Sequence, residues 1–243
     1  MIRLDGVSKS YGNIPALRDI SLSIPPGTVT AVAGEDGAGK STLLKSIVGL
    51  VGLDAGRILF KGEPVSDGFR GLRRAAGFMP EKFSLYPDLT VSETLDFVAD
   101  IHGLARPTRE SRKAALLQRT KLAGFEDRRA GALSGGMRQK LALMTAMIHG
   151  PELLVLDEPT TGIDPLSRGE ILQMISDLKS EGRTIIWSTP DLEEAESADE
   201  FLYLWRGRAI VAGNVLRLKQ DQGLTLEDIC LLSERRAQGA STT

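Results

Sequence analysis

The chain has 243 residues and lacks three features whose absence is informative. Cys230 is the only cysteine, so no internal disulfide can form. This fits a reducing compartment, and we expect Cys230 to be a small buried residue. No apolar run approaches the roughly 18 residues of a membrane span, and Met1–Asp5 do not predict a signal peptide. A role at a membrane would therefore depend on another chain.

Neither sign of charge dominates, since 30 lysines and arginines stand against 32 aspartates and glutamates. A large nucleic-acid footprint is therefore not expected. The sequence also has no internal repeat and no low-complexity segment. Its length suits one α/β domain, or such a domain with a small insertion.

The hydrophobic pattern changes along the chain. Residues 1–33 alternate apolar and polar side chains between turns, and Arg57–Phe60 continues this pattern, as antiparallel strands do. Residues 87–150 have helical periodicity and predict an inserted helical subdomain. Strands and helices alternate again from Leu153, as in a parallel α/β sheet, and residues 233–243 predict a flexible polar tail. The predicted helices of the insertion are Val91–Gly103, Pro107–Gly124 and Met137–His149.

The segment Gly34–Ser41 matches the phosphate-loop pattern G-x-x-x-x-G-K-[ST]. The β-branched and apolar segment Thr28–Ala33 before it predicts a buried parallel strand. The segment Ser41–Val48 after it predicts a helix that ends at Gly49. A strand, a glycine-rich turn and a helix in this order are the context that the motif needs, so we expect a nucleotide-phosphate site here.

The chemistry of this loop follows from its backbone. Gly34, Gly37 and Gly39 permit positive φ angles and bring bare N–H groups close to an anion. The helix that begins near Lys40 directs its unsatisfied N–H groups and positive dipole end toward the phosphates. Lys40 supplies a charge for the β- and γ-phosphates, and the Ser41 hydroxyl can bind Mg²⁺.

Glu35 and Asp36 add negative charge to the loop that must hold a polyanion. Because the backbone does the binding, we expect both side chains to face solvent or a partner. Ala38 and Thr42 complete the predicted nucleotide-contacting segment.

A second motif is the apolar strand Leu153–Leu156, which ends in two carboxylates. An acid at the end of a strand is unremarkable by itself. Beside a phosphate loop, Asp157 is the expected Mg²⁺-organising carboxylate, and Glu158 can orient or deprotonate an attacking water. Pro159 prevents a helix from starting at once.

A third motif lies at Leu133–Lys140, where Ser134 is placed to cap a helix. Gly135 and Gly136 put two bare amides at the N-terminus of that helix, which makes a second anion site. A single chain cannot fold this site onto its own phosphate loop, so we expect it to serve a partner. The apolar stripe of this helix predicts ordinary core packing by Met137, Leu141, Met144 and Ile148.

Together these motifs resemble those of the nucleotide-binding subunit of ATP-binding cassette (ABC) transporters, over residues 2–232. The segment Phe83–Val91 resembles exporter cassettes, especially multidrug and ABC-2-type ones. The resemblance implies an α/β fold, a P-loop NTPase (RecA-like) core with a parallel sheet, an antiparallel β subdomain and the inserted helical subdomain. It places one nucleotide-binding domain over residues 1–232.

The resemblance also implies ligands and partners. The ligands are ATP and Mg²⁺, and Tyr11 stands where the family stacks an aromatic ring on adenine; the alternative for Tyr11 is a tyrosine that merely ends a strand. Two cassettes pair head to tail through segments such as Thr161–Pro165, and Ser134–Met137 of one chain completes the ATP site of the other. Integral membrane permease subunits are the further partners, and no nucleic acid is expected. The chain is then peripheral, at the cytoplasmic face of the cell membrane.

Two positions depart from the family pattern. Glu81 stands where the family has a glutamine. It can join Ser41 and Asp157 as an oxygen ligand of Mg²⁺, but it adds negative charge near the triphosphate. Pro190 stands where the family has its switch histidine at the γ-phosphate, and proline has neither a polar side chain nor an N–H donor.

These departures bear on hydrolysis. The only histidines, His102 and His149, are not placed to replace the missing side chain, and we expect His149 to follow a helix C-terminus. Glu158 is retained, so the hypothesis is a site that binds ATP and hydrolyses it slowly, within an asymmetric pair of cassettes. The alternative is a non-hydrolysing, ATP-gated regulatory or scaffold cassette. A soluble ABC protein acting on ribosomes or DNA is disfavoured by the single cassette and the balanced charge.

One further expectation concerns a run of acidic residues. Glu193, Glu194 and Glu196 with Asp199 and Glu200 predict a solvated helix face, which is the common environment of such a run.

Overall fold

An antiparallel sheet forms the N-terminal part of the fold in the computed structural model, which describes residues 1–65, 69–82 and 85–239. Its strands are β1 (Ile2–Tyr11), β2 (Ile14–Ile24), β4 (Ala55–Phe60) and β5 (Glu63–Pro64). They lie in the order β2-β1-β4-β5. Apolar side chains of β1 at Ile2, Leu4 and Val7 are buried, and the register shifts between Leu4 and Val7. The alternation in the sequence therefore gives this sheet one face in the core.

The second sheet is mostly parallel and holds the centre of the molecule. Its strands are β3 (Val29–Ala33), β6 (Ala76–Met79), β7 (Leu153–Leu156), β8 (Thr184–Thr189), β9 (Glu200–Trp205) and β10 (Arg208–Asn214). They lie in the order β10-β9-β3-β8-β7-β6, with β10 antiparallel to β9 at one edge. Strand β8 thus lies between β3 and β7, and the carboxyl ends of these three strands meet at the same edge of the sheet.

The helices cover both sheets and connect their strands. They are α1 (Lys40–Ile47), α2 (Arg70–Ala75), α3 (Val91–Ile101), α4 (Arg106–Thr120), α5 (Gly135–Met147), α6 (Pro165–Ser180), α7 (Leu192–Ala195), α8 (Val215–Gln222) and α9 (Leu226–Gly239). Helix α1 packs between the antiparallel sheet and the main sheet through Leu43, Leu44 and Ile47. None of the helices in the described ranges is long and apolar enough to cross a bilayer.

Helices α3, α4 and α5 lie between β6 and β7 in the chain and form the helical insertion. Thr90 and Glu93 start α3 with a reciprocal capping box, in which each side chain accepts a hydrogen bond from the other residue's backbone N–H. Pro107 lies in the first turn of α4, and Lys121 ends that helix in a left-handed conformation with φ of 58°. The helices begin and end near the glycine and capping signals of the sequence.

The predicted fold class is confirmed: the structure has a P-loop NTPase core with a parallel sheet and an antiparallel β subdomain. The predicted flexible tail is wrong for residues 233–239, because α9 continues to Gly239. Ile229 and Cys230 anchor this helix in the core, and the Tyr203 hydroxyl donates to Glu234 Oε1 at 2.6 Å. The last residues of the predicted tail, 240–243, lie outside the described residues.

Candidate functional site

A cavity of about 590 Å³ opens at the carboxyl edge of β3, β8 and β7. This is within the usual size range of small-molecule sites. Apart from Ala16 and Thr161, its lining consists of positions that the sequence predicts for one nucleotide site, although they are far apart in the chain. The lining residues are Tyr11, Ala16, Glu35, Asp36, Gly37, Gly39, Lys40, Ser41, Thr42, Glu81, Glu158, Thr161 and Pro190.

The loop between β3 and α1 has a backbone that glycine makes possible. The φ angles are 152° at Gly34, 78° at Gly37 and 109° at Gly39. A Cβ at Gly34 would lie 2.3 Å from the Leu204 carbonyl oxygen, and a Cβ at Gly39 would lie 2.4 Å from that of Ala16. Gly34 and Gly39 are therefore required both for their φ angles and for space.

Lys40 is buried at the start of α1, with an exposed fraction of 4%. Its Nζ donates to the Gly34 carbonyl oxygen at 2.8 Å and to that of Glu35 at 3.2 Å. It also lies 3.3 Å from Glu158 Oε1. No side chain caps α1, because its N-cap residue is Gly39. The ammonium group and the uncapped N–H groups at this helix end form an electropositive site that can bind an anion.

Asp157 follows β7 and is fully buried. Its Oδ1 accepts hydrogen bonds from the Ser41 hydroxyl at 3.0 Å and from the Ser188 hydroxyl at 2.7 Å. Its Oδ2 is buried and has no hydrogen-bond partner among the described residues. An unpaired buried carboxylate oxygen is costly, and a cation beside it would remove that cost. The residues present therefore fit Mg²⁺, which binds carboxylate and hydroxyl oxygens.

The rest of a metal's coordination would have to come from elsewhere. In residues 1–65, 69–82 and 85–239 no group of three or more His, Cys, Asp or Glu side chains could hold a metal ion by itself. Magnesium usually binds through one or two carboxylates together with phosphate oxygens and water. Asp157 and Ser41 match the protein's share of such a site.

Glu158 lies at the edge of the cavity. Its backbone φ angle is 50°, which is uncommon for a residue other than glycine. The Glu158 backbone N–H donates to the Ser188 hydroxyl at 2.9 Å, and Glu158 Oε2 accepts from the Thr161 hydroxyl at 3.1 Å. The carboxylate is thus held next to Lys40. A carboxylate in this position can orient a water molecule and accept its proton.

The other predicted positions line the cavity in more open places. Tyr11 is half exposed at the end of β1, and Glu81 and Pro190 are exposed. Glu35 and Asp36 are also exposed, as expected for side chains that leave phosphate binding to the backbone, and the Asp36 side chain is 98% accessible. The structure therefore brings Tyr11, the loop, Glu81 and Pro190 around one cavity.

The Ser134–Met137 segment is not part of this cavity as the described residues define it. The Met137 backbone N–H donates to the Ser134 hydroxyl, which caps α5 as the sequence predicts. Gly135 is exposed, with open space around it, whereas Gly136 packs so closely on α6 that a Cβ would lie 2.1 Å from the Ser167 hydroxyl. The chain does not bring its own phosphate loop and this segment together.

Two side chains in the site were not predicted to support it. Ser188 joins Asp157 to the Glu158 backbone, and Gln139 Nε2 donates to the carbonyl oxygens of Pro159 at 2.7 Å and Glu158 at 3.3 Å. The signal for Ser188 is a polar residue in a buried strand, since β8 is buried along its whole length. The signal for Gln139 is its burial on the helix that Ser134 caps.

The predicted solvated acidic face is wrong for Glu194. Glu193 and Glu196 are exposed, but Glu194 is 5% exposed. The physical reason is a set of donors on neighbouring elements that the run of acids does not reveal: Glu194 accepts from the hydroxyls of Thr160 and Thr189. A carboxylate can be buried when its oxygens are hydrogen-bonded in this way.

A parallel sheet with a glycine-rich loop at a helix N-terminus, and an acidic pair on a neighbouring strand, defines a P-loop nucleotide-binding protein. The family model described as ABC transporter matches residues 17–161, which is more than half of the chain. The chain therefore belongs to the ABC transporter family. The phosphate loop Gly34–Ser41, the segment Ser134–Met137 and the pair Asp157 and Glu158 lie within the matched residues.

Curated relatives agree with this membership. The chain is 41% identical over 224 residues to the probable multidrug ABC transporter ATP-binding protein YbhF of Escherichia coli (strain K12), covering 90% of this chain and 38% of that protein. It is 38% identical over 208 residues to the Nod factor export ATP-binding protein I of Burkholderia orbicola (strain AU 1054), covering 85% of this chain and 68% of that protein. The chain thus spans well under half of the first relative.

Solved structures have the same fold over nearly the whole chain. An ATP-binding subunit of an ABC transporter superposes with a TM-score of 0.86 at 30% identity and covers 96% of this chain and 99% of that one. A dimeric ATP-binding cassette in a post-hydrolysis state with ADP and Pi gives 0.81 at 27% identity, covering 88% and 99%. The cavity and its loop therefore belong to an ATP-binding cassette.

Proposed function

We propose that this chain is the ATP-binding and ATP-hydrolysing subunit of an exporter-type ABC transporter. The observation that carries the proposal is the single cavity in which Lys40, Ser41 and Glu158 meet beside the buried Asp157. The names of the two relatives, a multidrug ABC transporter protein and a Nod factor export protein, favour export over import.

The roles of the binding residues follow from their positions. The backbone N–H groups of residues 34–42 and the N-terminus of α1 hold the phosphates, and Lys40 exchanges its contacts with the Gly34 and Glu35 carbonyl oxygens for phosphate oxygens. Tyr11 provides a half-exposed ring for the base. Ser41 and Asp157 would hold Mg²⁺, with Glu81 as a further oxygen ligand, and the metal ion would supply positive charge beside the phosphates.

Glu158 acts as the general base. When Lys40 turns toward phosphate, the Glu158 carboxylate would lose its contact with Lys40 Nζ, which is 3.3 Å away. The carboxylate then accepts the proton of the attacking water. The hydrogen bond from the Thr161 hydroxyl, and the one that the Glu158 backbone N–H donates to the Ser188 hydroxyl, keep Glu158 in place.

The chain works as one of two cassettes. Ser134, Gly135, Gly136 and Met137 lie away from the chain's own cavity, and Gly135 is exposed at the N-terminus of a helix of 13 residues. This supports a head-to-tail dimer in which these amides bind the γ-phosphate held by the partner's phosphate loop. The dimeric cassette among the solved structures is consistent with such pairing.

The chain's own site is proposed to be slow. Pro190 lines the cavity at the switch position without a polar group, and Glu81 adds negative charge there. An asymmetric heterodimer would make use of both properties, since the intact Ser134–Met137 segment can complete a faster site on a second cassette.

Separate membrane subunits are proposed to dock on the other side of the insertion. A groove of about 300 Å³ lies between the segment after α1, α2, β6, α3 and α5 and is lined by Leu50, Phe78, Val98, His102 and His149, among others. Exposed apolar side chains at Leu50 and Ile101 border the same region. The segment Phe83–Val91, which resembles exporter cassettes, leads into α3, but Phe83 and Ser84 are outside the described residues.

Calorimetry with Mg-ATP on the purified chain tests the core of the proposal. We expect binding that Lys40→Ala abolishes, together with slow hydrolysis that Glu158→Gln lowers to a small residual rate while binding remains. Lys45→Ala, on the same helix but away from the cavity, is the matched control and should leave both unchanged. Absence of Mg-ATP binding, or binding that is indifferent to Lys40→Ala, would contradict the proposal.

A regulatory cassette that binds ATP without hydrolysing it is the second candidate, and the observation that favours it is Pro190 in the cavity lining. The same experiment separates the two. Binding without any turnover, in the chain alone and when it is paired with a hydrolysing cassette, would support the regulatory role.

A further inference from the structure

The carboxylate of Glu194 joins three segments around the candidate site. Its Oε2 accepts hydrogen bonds from the Thr160 hydroxyl and the Thr189 hydroxyl, both at 2.8 Å. Its Oε1 lies 2.5 Å from Nε of Arg168. The Glu194 side chain is 3% exposed, so these donors replace water around a buried charge.

The positions of the three donors are informative. Thr160 lies two residues after Glu158, and Thr189 lies immediately before Pro190. Arg168 lies in the first turns of α6, after the loop at residues 161–164. One carboxylate therefore connects the segment with the catalytic carboxylate, the switch position and the helix that follows the predicted dimer-contacting loop.

Arg168 strengthens this connection from a second direction. Its Nη2 is hydrogen-bonded to Asp191 Oδ2, while Asp191 Oδ1 caps α7 by accepting from the backbone N–H groups of Glu193 and Glu194. Burial opposes ionisation of Asp191, but the Arg168 hydrogen bond prevails and the pKa of Asp191 is lowered. The forked guanidinium thus holds both the cap of α7 and its buried carboxylate.

Glu194 itself does not touch the cavity as the described residues define it. A direct contact with nucleotide is therefore not its role. Pro190 offers no side-chain hydrogen bond to fix the switch segment, so the order of that segment depends on its neighbours, above all on Thr189. Thr189 is fully buried at the end of β8, and its hydroxyl donates a hydrogen bond to Glu194 Oε2.

We propose that Glu194 is a positioning residue for ATP hydrolysis, which keeps the Glu158 segment in register with the switch segment at Pro190. This rests on the proposed hydrolytic function. The link through Thr160 and Thr189 sets where the Glu158 carboxylate lies relative to the γ-phosphate. Nucleotide affinity depends on the loop at residues 34–42 and does not need this link.

The test compares Glu194→Gln with Glu193→Gln in single-turnover hydrolysis of Mg-ATP by the full chain. Glu193 is exposed on the same helix and serves as the matched control. We expect Glu194→Gln to lower the rate at least tenfold while the Kd for Mg-ATP from calorimetry changes less than twofold. Glu193→Gln should change neither.

A background that lacks the catalytic carboxylate separates positioning from mere stability. If Glu194 acts through Glu158, the double variant Glu158→Gln with Glu194→Gln should be no slower than Glu158→Gln alone. A purely structural contribution would lower the rate in both backgrounds and would overturn the proposal.

Thr160→Val and Thr189→Val provide the second pair of variants, because each removes one hydroxyl and leaves the charged pair of Glu194 and Arg168 intact. Each should reproduce the loss of rate without a loss of affinity. These variants decide the outcome if Glu194→Gln does not fold.

The outcomes distinguish the two proposals. A wild-type rate in Glu194→Gln, or a Kd that rises in parallel with the loss of rate, overturns the positioning role alone. Tight Mg-ATP binding with no hydrolysis by the wild-type chain overturns the hydrolytic function, and the positioning role with it.

Discussion

The two sides of the cavity are built by different means. On the phosphate-loop side, residues 34–42 obtain their shape from glycine φ angles and from the start of α1, within a few residues of the chain. On the switch side, the order depends on side chains from the segment after β7 and from β8, α6 and α7. They are Thr160, Thr189, Arg168 and Glu194. A local motif therefore specifies one side, and the tertiary fold specifies the other.

The largest effect is expected on the phosphate-loop side, from Gly39→Ala. The new Cβ would lie 2.4 Å from the Ala16 carbonyl oxygen at a φ angle of 109°, so the loop must move. We expect the free energy of unfolding to fall by about 3 kcal/mol and the affinity for Mg-ATP to fall by about 100-fold. Chemical denaturation and calorimetry measure the two.

Gly37→Ala is the matched control for that prediction. Its φ angle is 78°, but a Cβ there meets nothing within 4 Å. We expect a loss of about 1 kcal/mol in unfolding free energy from backbone strain alone. Equal effects at Gly37 and Gly39 would show that space at Gly39 is not the constraint.

The next largest effect is expected from breaking the network of Arg168, Asp191 and Glu194 on the switch side. In Arg168→Lys, one ammonium group cannot serve Asp191 and Glu194 together as the guanidinium does. We expect the free energy of unfolding to fall by about 2 kcal/mol, a figure already reduced because the Arg168 side chain is partly exposed. Urea denaturation monitored by tryptophan fluorescence provides the measurement.

Lys219→Gln is the matched surface control for Arg168→Lys. Lys219 pairs with Glu196 at 2.6 Å, with both side chains more than a third exposed. Its loss should cost at most about 0.5 kcal/mol. A cost as large as that of Arg168→Lys would contradict the distinction between a network that includes the buried Glu194 and an ordinary surface pair.

A smaller effect is expected when position 190, on the switch side, receives the polar side chain that proline lacks. Pro190→His places a polar side chain in the cavity lining, where it can donate to the γ-phosphate. We expect the rate of ATP hydrolysis to rise about tenfold, measured as phosphate release at saturating Mg-ATP.

The control for Pro190→His is Pro190→Ala, which removes the ring without supplying a donor. An equal rise in both variants would assign the effect to backbone freedom. No rise in Pro190→His would contradict the proposal that the proline limits the rate.

The smallest effect lies outside both sides of the cavity. The rings of His102 and His149 stack with centroids 3.9 Å apart. Burial, and next the neighbouring His102, lower the pKa of His149 to about 4. Because the folded state takes up the proton less readily than the unfolded state, this residue's contribution is complete above pH 6.5 and is lost as the pH falls toward 4.

We therefore expect the difference in unfolding free energy between the wild type and His149→Gln to shrink by about 1 kcal/mol from pH 7 to pH 4.5, allowing for partial solvent screening. Denaturation at several pH values measures it. Mg-ATP affinity should show no dependence on His149 over the same range, since this residue does not line the nucleotide cavity. A difference that grows as the pH falls would contradict the assignment.

The sequence predicted most of the phosphate-loop side for a physical reason. Glycine spacing, the strand before it and the helix after it are local, and Asp157 is recognisable as the polar end of an apolar strand. The contact of Asp157 with Ser41 depends only on parallel strands that end at one edge.

The switch side could not be predicted in this way. Ser188 reaches Asp157 because β8 lies between β3 and β7, an order that no local pattern contains. Glu194 stands in an acidic run that suits solvent, and its burial depends on Thr160 and Arg168, 34 and 26 positions earlier in the chain. The tail was wrong for a similar reason, because a polar composition does not reveal the contact between Glu234 and Tyr203.

The unpartnered oxygen of Asp157 links the stability of the folded chain to the proposed binding of Mg²⁺ and nucleotide. If a cation and its nucleotide bind only the folded chain, as proposed, they would raise its free energy of unfolding by about 2.7 kcal/mol when the free ligand is at 100 times its Kd. Cells well stocked with magnesium nucleotide would therefore preserve the chain against proteases and heat. In starved cells the same molecules would open more often and be cleared sooner.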